Sequence, residues 1–146
     1  MRVALYQPEI PQNTGTIMRL CACMGVGVDI IEPCGFVFSD RRMRRAGMDY
    51  LDKVNWCKYS SWEDYKIQQR LVLLTPYADT VYTDFQFTDK DILLLGKEST
   101  GVPDSILNSN IQKVLIPMQP GFRSLNVAIS CAMVLGEALR QMRCKI

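Results

Sequence analysis

Four segments of this 146-residue chain hold residue types whose spacing suits work on an anion or a cofactor. The first is Asn13-Thr14-Gly15-Thr16-Ile17-Met18-Arg19, directly after Pro8-Glu9-Ile10-Pro11-Gln12. Two prolines stiffen the loop, and the helix start that follows offers free backbone N–H groups to an anion. Arg19 adds a planar guanidinium fork. The second is Leu95-Gly96-Lys97-Glu98-Ser99-Thr100-Gly101-Val102-Pro103-Asp104, between an apolar strand and a helix with proline at its start. Gly96 and Gly101 permit a tight turn and a close ligand approach. The third is Ile116-Pro117-Met118-Gln119-Pro120-Gly121-Phe122-Arg123-Ser124-Leu125-Asn126. Pro120-Gly121 predicts a type II turn, Ser124 suits an N-cap, and Met118 and Phe122 could wall a slot for an adenosine. The fourth is Asp40-Arg41-Arg42-Met43-Arg44-Arg45, with Arg41, Arg44 and Arg45 on one helical face. Such a run is costly to pack without an anion, and Phe36, Phe38 and Tyr50 beside it could stack on bases. Alone, each segment has a plainer interpretation: a capped helix, a βα turn, a capped turn and a solvated basic face.

Composition removes several chemistries. There is no histidine, which excludes Ser-His-Asp and Cys-His catalysis and any His-ligated metal. The six cysteines contain no C-x-x-C pair, so no zinc ribbon or thioredoxin motif is expected, and Cys21 and Cys23 read as small buried thiols. The second segment lacks the Gly-Lys-Ser/Thr of a Walker A loop, and Gly25-Val26-Gly27 lacks the third glycine of a dinucleotide fingerprint. The net charge of +2 is too mild to announce nucleic acid, so any basic site must be local. No signal-peptide pattern or spanning apolar run is evident, and a reduced, cytoplasmic protein is expected.

The elements that must position these segments alternate. Strands are predicted at Val3–Tyr6, Val28–Ile31, Val54–Lys58, Leu71–Leu74, Ile92–Leu95 and Lys113–Ile116. Helices are predicted at Gly15–Met24, Arg41–Ala46, Trp62–Gln68, Pro103–Asn108 and Leu125–Arg143. The pattern implies one α/β domain over residues 1–146, a mostly parallel six-stranded sheet with helices on both faces. In the first helix Ile17, Leu20, Cys21 and Met24 form the apolar stripe, Asn13 stands at the N-cap, and Arg19 points away. The last helix is apolar almost all round, which predicts burial on every side, part of it against a second subunit.

Taken in order, Asn-x-Gly-x-x-x-Arg, Gly-x-Glu-x-x-Gly and Ile-Pro-Met…Ser-Leu-Asn resemble the three motifs of the SPOUT RNA 2′-O-methyltransferases. The likeness is strongest to the small single-domain tRNA wobble-nucleotide enzymes, the TrmL-like branch. It is carried by Leu5-Tyr6-Gln7-Pro8-Glu9-Ile10-Pro11-Gln12-Asn13-Thr14-Gly15, Ile31-Glu32-Pro33…Gly35-Phe36 and Arg44-Arg45-Ala46-Gly47-Met48-Asp49-Tyr50. The resemblance implies a C-terminal deep trefoil knot, a homodimer, and S-adenosylmethionine as cofactor. It implies cofactor loops at Leu74-Thr75, Gly96 with Glu98, Ile116 to Met118, and Ser124-Leu125-Asn126. It implies Arg19 as the main catalytic residue and the tRNA anticodon stem-loop as partner, with Asn13, Arg41, Arg42, Arg44 and Arg45 toward the RNA. No metal or membrane is implied. The expected reaction is 2′-O-methylation of the cytidine or uridine at the wobble position, nucleotide 34. Arginine stays protonated in proteins, so Arg19 is expected to grip a phosphate and stabilise oxyanion charge rather than take the proton. Three features depart from the branch. Gly136 stands where a tyrosine is frequent, and Lys97 and Thr100 replace a common proline and arginine. The alternative is a non-catalytic knotted dimer that binds RNA or S-adenosylmethionine. A flavodoxin-like domain is a third option, but it lacks an acidic phosphoacceptor cluster and a phosphate-rich first loop.

Overall fold

The computed structural model describes residues 1–37, 41 and 50–143. The strands are β1 (Arg2–Tyr6), β2 (Gly27–Ile31), β3 (Trp56–Tyr59), β4 (Leu71–Leu74), β5 (Ile92–Leu95) and β6 (Gln112–Val114), mostly apolar and buried in the four central ones and partly exposed in β3 and β6 at the edges. They make one sheet in the order β3-β2-β1-β5-β4-β6, and every pairing is parallel. Among the described residues three helices accompany it: α1 (Pro11–Met24), α2 (Asp104–Leu107) and α3 (Val127–Arg143).

Period-two alternation sorts the strand side chains between two faces. Val3, Leu5, Val28, Ile30, Val72, Leu93 and Leu95 face Ile17, Met18 and Cys21 of α1 and Cys131, Val134, Leu135 and Ala138 of α3. Ala4, Tyr6, Ile31, Leu73, Ile92 and Leu94 face the other way, onto Tyr65 and Ile106. Burial on both faces explains why several of the strands, Leu71–Leu74 and Ile92–Leu95 above all, read as unbroken apolar runs.

Several boundaries and one whole element differ from expectation. The helix α1 starts four residues early, with Pro11 inside its first turn and Ile10 as N-cap without a side-chain cap. Asn13 is therefore a helical residue, not the cap. Along α1, Met18 is buried and Met24 exposed, so the apolar stripe is rotated from the predicted one. Cys21 is buried but Cys23 is exposed. Burial pushes the Cys21 thiol up to about 12 and Cys34 to about 11, so neither is a ready nucleophile. The strand predicted from Val54 begins at Trp56, because the Val54 amide donates to the Tyr50 carbonyl in a turn. The strand predicted to Ile116 ends at Val114. The helix predicted over Trp62–Gln68 does not form. Ser60 Oγ donates to Asp64 and Asp64 N donates to Ser61 Oγ, local bonds that compete with a helix. Tyr65 is drawn inward, where its hydroxyl donates to Asp29 at 2.8 Å. The helix predicted over Arg41–Ala46 lies, apart from Arg41, outside the described residues.

Within the single chain the closing helix buries one side. Cys131, Val134, Leu135 and Ala138 pack on the sheet, whereas Ile129 is 55% exposed and Met133 37% exposed on the opposite side. The chain by itself leaves this apolar side uncovered.

Candidate active site

The connections from β1 and β5 run to opposite sides of the sheet, so a crevice opens between their carboxyl ends, where open α/β sheets bind ligands. Three of the loops singled out by sequence meet here. The Glu98 carboxylate accepts hydrogen bonds from Glu9 N at 2.8 Å, Ile10 N at 3.2 Å and Asn13 Nδ2 at 3.3 Å. In exchange, Glu9 accepts from Ser99 N at 2.9 Å and Ser99 Oγ at 2.8 Å. Those two bonds from Ser99, side chain first, hold the Glu9 carboxyl below its ordinary range. Asn13 Oδ1 in turn accepts from Asn126 Nδ2 at 2.9 Å. Asn126 Oδ1 accepts from Ala128 N at 2.8 Å and Ile129 N at 3.2 Å, capping α3. The cap expected at Ser124 is thus supplied by Asn126, and Ser124 is exposed.

The result is a bracket of side chains, Glu98 to Asn13 to Asn126, across segments 85 and 113 residues apart. Both polar ends of Asn13 make a bond within it, so its amide ties the loops together. The Gly96 turn is held close: Lys97 and Gly101 exchange two backbone hydrogen bonds at 3.0 Å, and Gly101 adopts φ +69°. A Cβ on Gly96 would lie 2.6 Å from the Gly101 carbonyl carbon, so no larger residue fits. Beyond it lies an open groove of about 390 Å³ lined by Tyr6, Lys97, Thr100, Val102 and Asp104 among others.

The remaining predicted cofactor residues sit at the carboxyl ends of the adjacent strands. Leu74 ends β4, and the amide of buried Thr75 donates to the Val114 carbonyl at 3.0 Å. Ile116 and Met118 follow β6, partly buried. Among the described residues no backbone–backbone hydrogen bond engages residues 116–125. This stretch carries exposed Phe122 and Leu125, and Gly121 has φ +91° as a type II turn requires. Free backbone donors and acceptors beside apolar side chains, with a glycine that must stay small, fit an adenosine-bearing cofactor.

Arg19 lies six residues along α1 from Asn13, about 9 Å further down the axis. It is exposed and faces away from the apolar stripe, as expected. Among the described residues the structure does not join it to the bracket. Its guanidinium carbon instead lies 4.9 Å from the centre of the Tyr50 ring. Arg41 is exposed, and Arg42, Arg44 and Arg45 lie outside the described residues. Sequence patterning announces neither the Glu9–Ser99 exchange nor the seat of Arg19 on Tyr50. A polar residue between two prolines at Glu9 was the only available hint of the former.

A family model described as the SpoU rRNA Methylase family matches residues 1–136. The chain belongs to this family. It is 56% identical over 145 residues to a tRNA (cytidine(34)-2′-O)-methyltransferase of Beijerinckia indica, covering 96% of this chain and 91% of that one. A solved structure described as "Structural insights into the 2-OH methylation of C/U34 on tRNA" superposes with a TM-score of 0.91 at 33% identity, over 97% of this chain and 95% of that one. An AdoMet-bound rRNA methyltransferase from Sinorhizobium meliloti superposes with a TM-score of 0.85 at 26% identity, over 97% of this chain and 56% of that one. The family explains why motifs so far apart in sequence converge on one crevice. Among the described residues no cluster of candidate metal ligands is present, and no helix is long and apolar enough to cross a membrane.

Proposed function

We infer that this chain is an S-adenosylmethionine-dependent methyltransferase that methylates the ribose 2′-oxygen of the cytidine, or uridine, at nucleotide 34 of tRNA. One observation carries this: the bracket joins all three motif loops in a chain alike over nearly its whole length to a cytidine-34 enzyme.

When bound, the cofactor supplies a methyl group already activated on a sulfonium. The protein's task is then positioning. Gly96 and the unpaired backbone of residues 116–118, with Leu74, Thr75, Ser124 and Leu125 around them, would hold the cofactor. Glu98 and Asn126 fix the loops that bear these groups. Arg19 grips the phosphate beside the target ribose and stabilises charge on the 2′-oxygen as its proton departs. The proton leaves to a phosphate oxygen or to water, since the chain has no histidine. Arg41, Arg42, Arg44 and Arg45 would contact the backbone of the anticodon stem-loop.

The chain acts as one domain, knotted and dimeric. Support for the knot lies around Leu115. Thr75 bonds the Val114 carbonyl from one side, while Thr80 and Tyr82 bond Leu115 from the other. The segment leaving β6 thus runs between two parts of the connection that follows β4. Gln141 of α3 also ties Phe85 and Phe87 of that connection. Support for the dimer is the uncovered side of α3, where Ile129 and Met133 lie one turn apart.

The test is methyl transfer from labelled S-adenosylmethionine to unmodified tRNA, with the product ribose mapped, for the wild type and Arg19→Ala. Label at nucleotide 34, lost in the variant, is the expected result. Cofactor binding with no label on any tRNA would favour the non-catalytic binder.

A further inference from the structure

The Tyr50 ring carries a second cation. Lys53 Nζ lies 5.7 Å from its centre, against 4.9 Å for the Arg19 guanidinium carbon. The arrangement is built by a turn in which the Lys53 and Val54 amides both donate to the Tyr50 carbonyl, at 2.9 and 3.1 Å. This turn fixes the ring and the lysine as one unit. Among the described residues neither Arg19 nor Lys53 is in an ion pair with a carboxylate. Two like charges gathered on one ring repel, and an anion between them removes that cost. The ring quadrupole holds each cation but leaves its N–H donors free. A fork and a point charge together suit the oxygens of a phosphate.

We propose that Arg19 and Lys53, seated on Tyr50, form a binding site for one backbone phosphate of the RNA substrate. Lys53 is a binding residue of this site, and Tyr50 is a positioning residue that presents the Arg19 guanidinium. The proposal rests on the role of Arg19 inferred above. RNA is favoured over a free anion because the arginine run at residues 41–45 adjoins Tyr50 in sequence and suits an extended polyanion.

The test uses the whole protein and an unmodified anticodon stem-loop RNA, with copies bearing a neutral methylphosphonate at single sites around nucleotide 34. Lys53→Gln should weaken RNA binding three- to tenfold and make the slope of log K against log salt shallower by about 0.7. One methylphosphonate should weaken wild-type binding at least as much, and should weaken Lys53→Gln by less than it weakens the wild type, the remainder being the Arg19 contact. Tyr50→Phe keeps the ring and should stay within twofold of wild-type kcat. Tyr50→Ala should lose at least tenfold in kcat, with S-adenosylmethionine affinity unchanged. The proposal is overturned if Lys53→Gln matches the wild type in affinity and slope, if inorganic phosphate displaces the RNA while no methylphosphonate matters, or if Tyr50→Phe falls as far as Tyr50→Ala. Full activity in Arg19→Ala would instead sink the catalytic role of Arg19 and leave the Lys53 result standing.

Discussion

The two ends of the sheet use the same residue types to opposite effect. At the amino end Arg2 and Arg70 each have a buried acid. Arg2 Nε lies 3.0 Å from Asp29, which also receives the Tyr65 hydroxyl. Arg70 makes two bonds to Asp91, at 2.8 and 2.7 Å, and Thr88 adds two more. At the carboxyl end two acids are spent on backbone amides: Glu98 on Glu9 and Ile10, Glu9 on Ser99. Away from the crevice, on α1 and on the turn that precedes β3, Arg19 and Lys53 sit instead on an aromatic ring. Charges whose demands are met inside the chain hold the fold together. Charges left on a neutral platform remain able to meet a substrate. Residue type alone separates neither group, whereas the identity of the partner does.

This contrast can be broken in order of expected effect. Arg19→Ala should lower the rate of methyl transfer by about 10²–10³, with stability within ~0.5 kcal/mol of wild type. Single-turnover kinetics and urea unfolding would check the two halves. A large loss of stability would show that Arg19 belongs with the amino-end group. Asp29→Ala should do the reverse, costing about 3 kcal/mol in urea unfolding because a buried pair loses one partner. The folded fraction should retain its S-adenosylmethionine affinity.

Asn126→Ala straddles the two classes. Loss of the α3 cap should cost about 1 kcal/mol, or about 3 °C in Tm. It also frees Asn13, so KM for tRNA or cofactor should rise while Asn126→Asp, which keeps the cap, recovers the Tm. A Tm drop with unchanged KM would reduce the bracket to a helix cap.

The smallest effect concerns pH. Burial pushes the Asp91 carboxyl up, but the bonds from Arg70 and Thr88 outweigh it and the net shift is down. A carboxyl lower in the folded than in the unfolded chain stabilises above the ordinary range near ~4. That stability should fade as pH falls through the folded value. Thermal unfolding of Asp91→Asn should be less stable at neutral pH and flatter toward acid. Among the described residues no carboxylate pairs with Arg19, so Arg19→Ala should leave the acid limb of the stability profile unchanged.

Much of the fold was legible because doubly covered strands leave a continuous apolar trace, as in Leu71–Leu74 and Ile92–Leu95. The turn at Trp62–Tyr65 was not legible. Its outcome depends on Ser60, Ser61 and Asp64 competing for the backbone, and on Asp29, 36 residues away, receiving Tyr65. The motifs around Gly96 and Ile116 were visible as loops at strand ends. Their assembly was not, since Asn13 finds Asn126 across 113 residues and no periodicity encodes such a pair. Asn13 itself was misplaced because a residue good at capping was judged by type, while Pro11 marked the true start of the helix.

The bracket from Glu98 through Asn13 to Asn126 also constrains thermodynamics. One side of it borders the loops assigned to the cofactor, and the other is the first turn of the helix that carries Arg19. If filling one side tightens the shared bonds, the same free energy must appear on the other. The factor by which S-adenosylmethionine raises affinity for tRNA must then equal the factor by which tRNA raises affinity for S-adenosylmethionine.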